Sequence, residues 1–138
     1  MHILLLGATG NLGLRLIPAL LSHSHTITAY VRSPSKLQSL LPPALQSRIT
    51  VVQGDATDSQ AIKNAIIDNK CEGVVSSAGV AALAPWGSSD LPEIFKAVVE
   101  AVSLAGVQRG RGPLRVWMVG GQGVLEYPGR AGEMLCKQ

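Results

Sequence analysis

The sequence predicts an α/β fold. It reads as a doubly wound parallel sheet of about five strands, order 3-2-1-4-5, with helices on both faces. Three observations lead there. Short apolar runs alternate with longer segments of helical periodicity, the pattern of strand–helix–strand units joined by right-handed crossovers. The first apolar run passes straight into a glycine-rich turn and then a helix. The 138 residues are 46% hydrophobic and 15% charged, which suits one domain with a proper core.

His2 to Leu6 is a continuous apolar run ending at glycine, as in a strand buried on both faces. Asn11 to Ser22 reads as a helix, with Leu12, Leu14, Leu16, Ile17, Leu20 and Leu21 forming a broad apolar face. Pro18 lies inside it and predicts a kink or the loss of one backbone bond. Thr26 to Val31 is β-rich and gives the second strand. Ser33-Pro34-Ser35 starts a short helix carrying Lys36, Leu37 and Leu40, which Pro42-Pro43 ends. Arg48 to Gln53 is the third strand, and Asp58 caps a helix through Ala61, Ile62, Ala65 and Ile66. Gly73 to Ser77 is the fourth strand, followed by a loop rich in Gly, Ala, Ser and Pro over residues 78–90. A helix follows from Leu91 to Ala105, with Asp90 before it and Gly106 after it. Leu114 to Val119 is the fifth strand, closed by Gly120-Gly121-Gln122-Gly123. Residues 124–138 carry weak patterns and read as a tail to a single domain spanning 1–138.

Composition excludes several classes. No window approaches the roughly 18 apolar residues of a membrane helix, and the start lacks a basic region followed by a small-residue cleavage site. Cys71 and Cys136 make neither a disulfide framework nor a zinc pattern, so no metal is expected and a reducing cytoplasm is the default. The net charge is +3, unevenly spread. Arg15, Arg32, Lys36 and Arg48 all precede the first acid, Asp55, so that stretch carries four positive charges and no negative one. With only two Trp, two Tyr and one Phe to stack on bases, nucleic acid is a poor partner. A small anion fits better.

Gly7-Ala8-Thr9-Gly10-Asn11-Leu12-Gly13 follows the first strand and opens the first helix, spaced G-x-x-G-x-x-G. Gly7 allows a sharp turn off the strand. Gly10 lets a pyrophosphate approach the backbone, and Gly13 lets the helix pack closely. The helix start offers unpaired N–H groups and positive partial charge, to which Thr9 and Asn11 add side-chain donors. This strand–turn–helix context points to a dinucleotide. The end of the next strand separates the cofactors. An NAD site wants an acid there for the ribose 2′-hydroxyl, and none is present before Asp55. Arg32 stands there instead, with Ser33 and Lys36 behind it, which suits the 2′-phosphate of NADP(H). For Lys36 a solvated surface role reads nearly as well. Asp55, with Ala56 leaving room for a ring, serves either the adenine end or simply a turn before the next helix.

These residues together resemble the NmrA-like, atypical branch of the short-chain dehydrogenase/reductase superfamily, and are similar to biliverdin/flavin reductases. The marks are Gly7 to Gly13, Val31-Arg32-Ser33-Pro34-Ser35-Lys36, Gly54-Asp55 and the strand exit Ser76-Ser77-Ala78-Gly79. The resemblance runs from His2 to about Gly123. It implies a Rossmann fold that binds NADP(H), in enzymes that reduce quinones, flavins or isoflavonoids or in redox-sensing regulators that do not turn the cofactor over. It also implies a longer chain whose later part builds the substrate pocket. The superfamily's Tyr-x-x-x-Lys pair is not carried over: Tyr127 is followed at that spacing by Ala131, and Tyr30 by Pro34. No catalytic residue is therefore assigned.

Ser77, Ala78 and Gly79 leave the fourth strand where ligands bind in such sheets, either contacting the nicotinamide-side ribose or forming a tight turn. Trp86 walls a pocket or plugs the core, and Trp117 reads as core. His2, His23 and His25 lack acid–base partners and read as structural or solvated. Cys71 reads as a small core residue. Arg109, Arg111 and Arg115 read as a solvated loop. Three functions remain open: an NADP(H)-dependent oxidoreductase acting on a small molecule, a cofactor-binding sensor, and a non-redox isomerase, dehydratase or cyclase. A sheet ending near Gly123 leaves an edge exposed, so a homodimer or higher oligomer is expected.

Overall fold

A computed structural model describes residues 1–78, 90–110, 114–119, 126–127 and 130–134. β1 (His2–Leu6) runs through the middle of a five-stranded sheet. It pairs in parallel with β2 (Thr26–Val31) on one side and β4 (Gly73–Ser76) on the other. β3 (Ile49–Gln53) lies beyond β2, and β5 (Arg115–Met118) beyond β4, both parallel. The order β3-β2-β1-β4-β5 is the one expected from right-handed crossovers. The unbroken apolar run of β1 is explained by its place, since Leu4, Leu5 and Leu6 are all wholly buried.

Successive side chains of β1 feed different cores. Leu4 and Leu6 pack with Val74, with Ile62 and Ile66 of α4 (Ser59–Asp68), and with Ala97, Val98 and Ala101 of α5 (Leu91–Arg109). Leu5 packs with Ala29, with Ile17 and Leu21 of α1 (Asn11–Ser22), and with Leu37 of α2 (Pro34–Leu40). The alternation of a strand thus divides the apolar residues between two helical layers. In α1 the buried positions are Gly13, Ile17 and Leu21, one face at i, i+4, i+8. Pro18 is exposed within it, and the helix runs through. Ser33 caps α2, its hydroxyl accepting from the Lys36 N–H at 3.4 Å, and Asp58 caps α4 through the Ala61 N–H at 3.0 Å.

The structure differs from the local expectations at five points. α5 passes Gly106 and ends at Arg109, capped by Gly110 in the left-handed conformation (φ 58°). Ala101 and Ala105 continue its buried stripe past the expected stop, and packing outweighs the propensity cost of Gly106. Arg109 therefore closes a helix, where it complements the dipole, rather than lying in a loop. A further helical turn, α3 (Pro43–Gln46), follows the proline pair. Trp117 is 52% exposed, not core. It partners Val75 in register, on the strand that ends the sheet among the described residues. Within the expected tail, β6 (Glu126–Tyr127) pairs antiparallel with β7 (Arg130–Met134). Trp86, Arg111 and Cys136 lie outside the described residues.

Candidate functional site

The C-terminal ends of β1, β2, β3 and β4 surround a cleft of about 340 Å³. Its base is the turn after β1, lined by Gly7, Thr9 and Gly10. Gly7 has φ +79°, a conformation side chains rarely adopt, and a Cβ there would lie 2.7 Å from Ala78 Cα. Gly13 is equally constrained. Its Cβ would overlap the Gly7 carbonyl oxygen and come within 2.7 Å of Ala8 Cα. The close approach that Gly13 permits is thus onto the turn itself. Gly10 differs: φ −80° and ψ 164° suit any residue, and a Cβ would meet only Gly7 O, at 3.4 Å. The open space beside Gly10 belongs to the cleft.

Gly10 is the N-cap of α1 and supplies no side-chain cap. The N–H groups of Asn11, Leu12 and Gly13 head the helix, where no carbonyl within it can reach them. None of these three residues lines the cleft, Gly13 being buried and Asn11 and Leu12 exposed. A helix start of this kind is a natural seat for an anion.

Ser77 completes the turn from β4. Its N–H donates to Leu6 O at 3.0 Å, and its hydroxyl to Leu6 O at 3.1 Å and Gly7 O at 3.3 Å. The hydroxyl thus braces the turn, while Ser77 and Ala78 both line the cleft. Gly79 lies outside the described residues. Asp90 and Ile94, at the start of α5, also line it.

On the β2–β3 side, Arg32, Ser33 and Lys36 meet Asp55, Ala56 and Thr57 across the cleft wall. Arg32 and Lys36 are exposed. The Asp55 carboxylate closes a turn, accepting the Thr57 N–H and hydroxyl, each at 2.8 Å. Those two bonds hold its carboxyl below the usual range, and nearby Arg32 adds to the effect. Asp55 therefore fulfils the turn-closing reading while also facing the cleft. Lys36 lines it too, with its side chain exposed to solvent.

Sequence reasoning missed Tyr30 and Thr57. Tyr30 is the penultimate residue of β2, is 2% exposed, and lines the cleft with its hydroxyl on Asp55 O at 2.9 Å. The signal for it was Gly54, whose missing side chain makes room for the phenol. At the opposite end of the sheet, the His2 ring bridges Thr26 Oγ1 and Thr28 Oγ1, both at 2.7 Å, and its backbone N–H donates to Glu72 Oε2 at 2.9 Å. His23 and His25 are tied to Ala19 O and the chain N-terminus. His2 and His25 are half-buried, His23 is exposed, and none of the three lines the cleft. Cys71 is buried, and burial pushes its thiol up to about 11. Among the described residues no group of His, Cys, Asp and Glu could hold a metal ion, and no helix is long and apolar enough to cross a membrane.

A family model described as NAD(P)H-binding matches residues 7–133. No curated protein matches the chain. Among solved structures, a Burkholderia pseudomallei protein described as a candidate exported protein is 25% identical, with TM-score 0.68 over 100% of this chain and 55% of its own. The Bordetella bronchiseptica enzyme WbmG, in complex with NAD, is 30% identical, with TM-score 0.59 over 77% of this chain and 34% of its own. A Veillonella parvula short-chain dehydrogenase/reductase in complex with NADP is 24% identical and shares the fold, with TM-score 0.61 over 88% of this chain and 48% of its own. The chain thus spans about half or less of the length of these structures.

Proposed function

We propose that this chain, which belongs to the NAD(P)H-binding family and shares its fold with short-chain dehydrogenases/reductases, is an NmrA-like, atypical member of that superfamily and an NADP(H)-dependent oxidoreductase acting on a small organic molecule of quinone, flavin or enone type. The observation that carries this reading is the composition of the cleft: the open backbone at Gly10 and the cations Arg32 and Lys36 line one cavity, and the β2 exit holds no acid. The residues fit the group. Gly7, Thr9, Gly10 and the N–H groups of Asn11, Leu12 and Gly13 would hold the pyrophosphate. Arg32 and Lys36 would meet the 2′-phosphate. Asp55 and Ala56 would flank the adenine, and Ser77 and Ala78, with Gly79 beyond, the nicotinamide-side ribose. Bound there, the cofactor supplies or accepts hydride. An acceptor that takes its proton from water needs no Tyr–Lys pair.

A buried free Cys71 suits a reducing, cytoplasmic setting. Self-association is also part of the proposal. Phe95 and Val107 on α5, and Trp117 on β5, are exposed at 50%, 85% and 52%. A second copy of the chain would bury apolar side chains of this kind.

Calorimetric titration with NADPH and NADH tests the binding, and NADPH oxidation with a panel of quinones and flavins tests the reaction. Selective NADPH binding with turnover is the expected result. Tight binding without turnover on any acceptor would move the reading to a cofactor sensor. Product formation without added nicotinamide would move it to non-redox chemistry.

A further inference from the structure

The exits of β2 and β3 are tied together by three hydrogen bonds. The Tyr30 hydroxyl donates to Asp55 O at 2.9 Å, the Gly54 N–H to Val31 O at 3.0 Å, and Gln53 Nε2 to Arg32 O at 3.2 Å. The phenol occupies the space a side chain on Gly54 would need, where a Cβ would lie 2.6 Å from Tyr30 Cε2. Burial, helped by Asp58 and Asp55, pushes the phenol up to about 12, so its proton stays in place throughout the physiological range.

The carbonyl it holds belongs to the residue whose carboxylate folds the Asp55–Thr57 turn. That same carbonyl already accepts the Asp58 N–H at 3.1 Å. It would therefore stay satisfied without Tyr30. The bond answers the need of the buried hydroxyl for an acceptor rather than any need of the carbonyl, and in doing so it adds a positional restraint on the Asp55 backbone. Its effect falls on the distance between two parts of the cleft wall, the cationic edge at Arg32 and the shelf at Asp55, Ala56 and Thr57.

We propose that Tyr30 is a positioning residue for the adenosine 2′-phosphate end of the ligand, holding the Asp55–Thr57 shelf in register with Arg32 so that one molecule engages both. The inference rests on the NADP(H) reading above. It assigns Tyr30 no contact with the reacting atoms. Gln53 acts in the same sense from the other strand, by holding the Arg32 carbonyl.

The test is a double-mutant cycle, with adenosine 2′,5′-bisphosphate as the probe and affinity read by calorimetry. All variants are measured well below their melting temperatures, so that a change in folding stability leaves the affinity unmoved. Tyr30→Phe keeps the ring and should weaken binding about three- to ten-fold, the scale of one hydrogen bond. In an Arg32→Ala background the same change should cost less than about two-fold, because the register it sets no longer has a second partner. Equal losses in both backgrounds, or no loss in either, would overturn the proposal. Should Tyr30→Phe not fold, the same cycle with Gln53→Ala, at an exposed side chain, decides by the same criterion. A wild-type protein that binds neither the probe nor NADPH would bring down the NADP(H) reading itself. Wild-type binding with additive losses would remove only the role of Tyr30.

Discussion

Replacing each glycine of the turn by alanine should separate what the fold needs from what a ligand needs. At Gly10 the backbone is ordinary and an added methyl meets only one oxygen, at 3.4 Å. Losing glycine at an N-cap costs a few tenths to about 1 kcal/mol, and the stiffer unfolded chain returns about 0.4–1 kcal/mol. Gly10→Ala should therefore leave stability within about 0.5 kcal/mol of the parent, about 2 °C in Tm for a chain of this size. At Gly13 the added methyl meets the Gly7 carbonyl and lies 2.7 Å from Ala8 Cα, all backbone that can yield only by moving α1 off the turn. An overpacking cost of about 1–3 kcal/mol corresponds to a Tm lower by about 4–10 °C. Binding should rank differently. Gly10→Ala puts a methyl where the pyrophosphate would approach and should weaken NADP(H) at least ten-fold, about 1.4 kcal/mol. Thermal melts and calorimetry on the two variants read both quantities. A Gly10→Ala protein that binds the dinucleotide as well as the parent would refute the placement of the pyrophosphate. One that melts as low as Gly13→Ala would refute the reading of the turn.

Three further outcomes are expected. Arg32→Ala should weaken NADPH about 10- to 100-fold, the range of hydrogen bonds to a charged group, while changing NADH less than about three-fold; equal losses would show that Arg32 does not read the 2′-phosphate. Burial holds His2 below its ordinary pKa of 6.5, against the opposing pull of Glu72, so the unfolded chain binds the proton more readily. The contribution of His2 is thus complete above pH 6.5 and fades as the pH falls through the folded value, and denaturant melts of His2→Gln should lack that part of the acid slope. Phe95→Glu with Trp117→Glu should convert an oligomer at micromolar concentration into a monomer by light scattering, and a parent that is already monomeric sinks the self-association proposal.

Much of the architecture could be read from local pattern. The apolar run of β1, the glycine turn and the caps Ser33 and Asp58 act over a few residues, and all appear where expected. Errors arose where tertiary packing overrode a local cue. Gly106 looks like a helix stop, but the buried Ala101 and Ala105 carry α5 on to Gly110. Trp117 looks like core, but its strand stands at the sheet edge. The site was legible to the extent that it lies on consecutive residues. Arg32 and Asp55 stand out by charge alone, whereas the role of Tyr30 depends on the absence of a side chain at Gly54, a pairing set by strand register. Likewise, the Ser77 hydroxyl reads as a polar cleft lining until its bonds to Leu6 and Gly7 are seen.

Those bonds also bear on how the protein reaches its working state. The turn at Gly7 is braced by a residue 70 positions later in the chain. Residues 1–22 therefore carry the glycines without carrying the site, and an excised peptide of that length would lack the brace. Closing so long a loop is entropically expensive and belongs to the slow, non-local part of folding. Nucleotide capture should accordingly appear only after β4 has docked on β1, which makes the appearance of cofactor binding in a refolding experiment a clock for that single strand pairing.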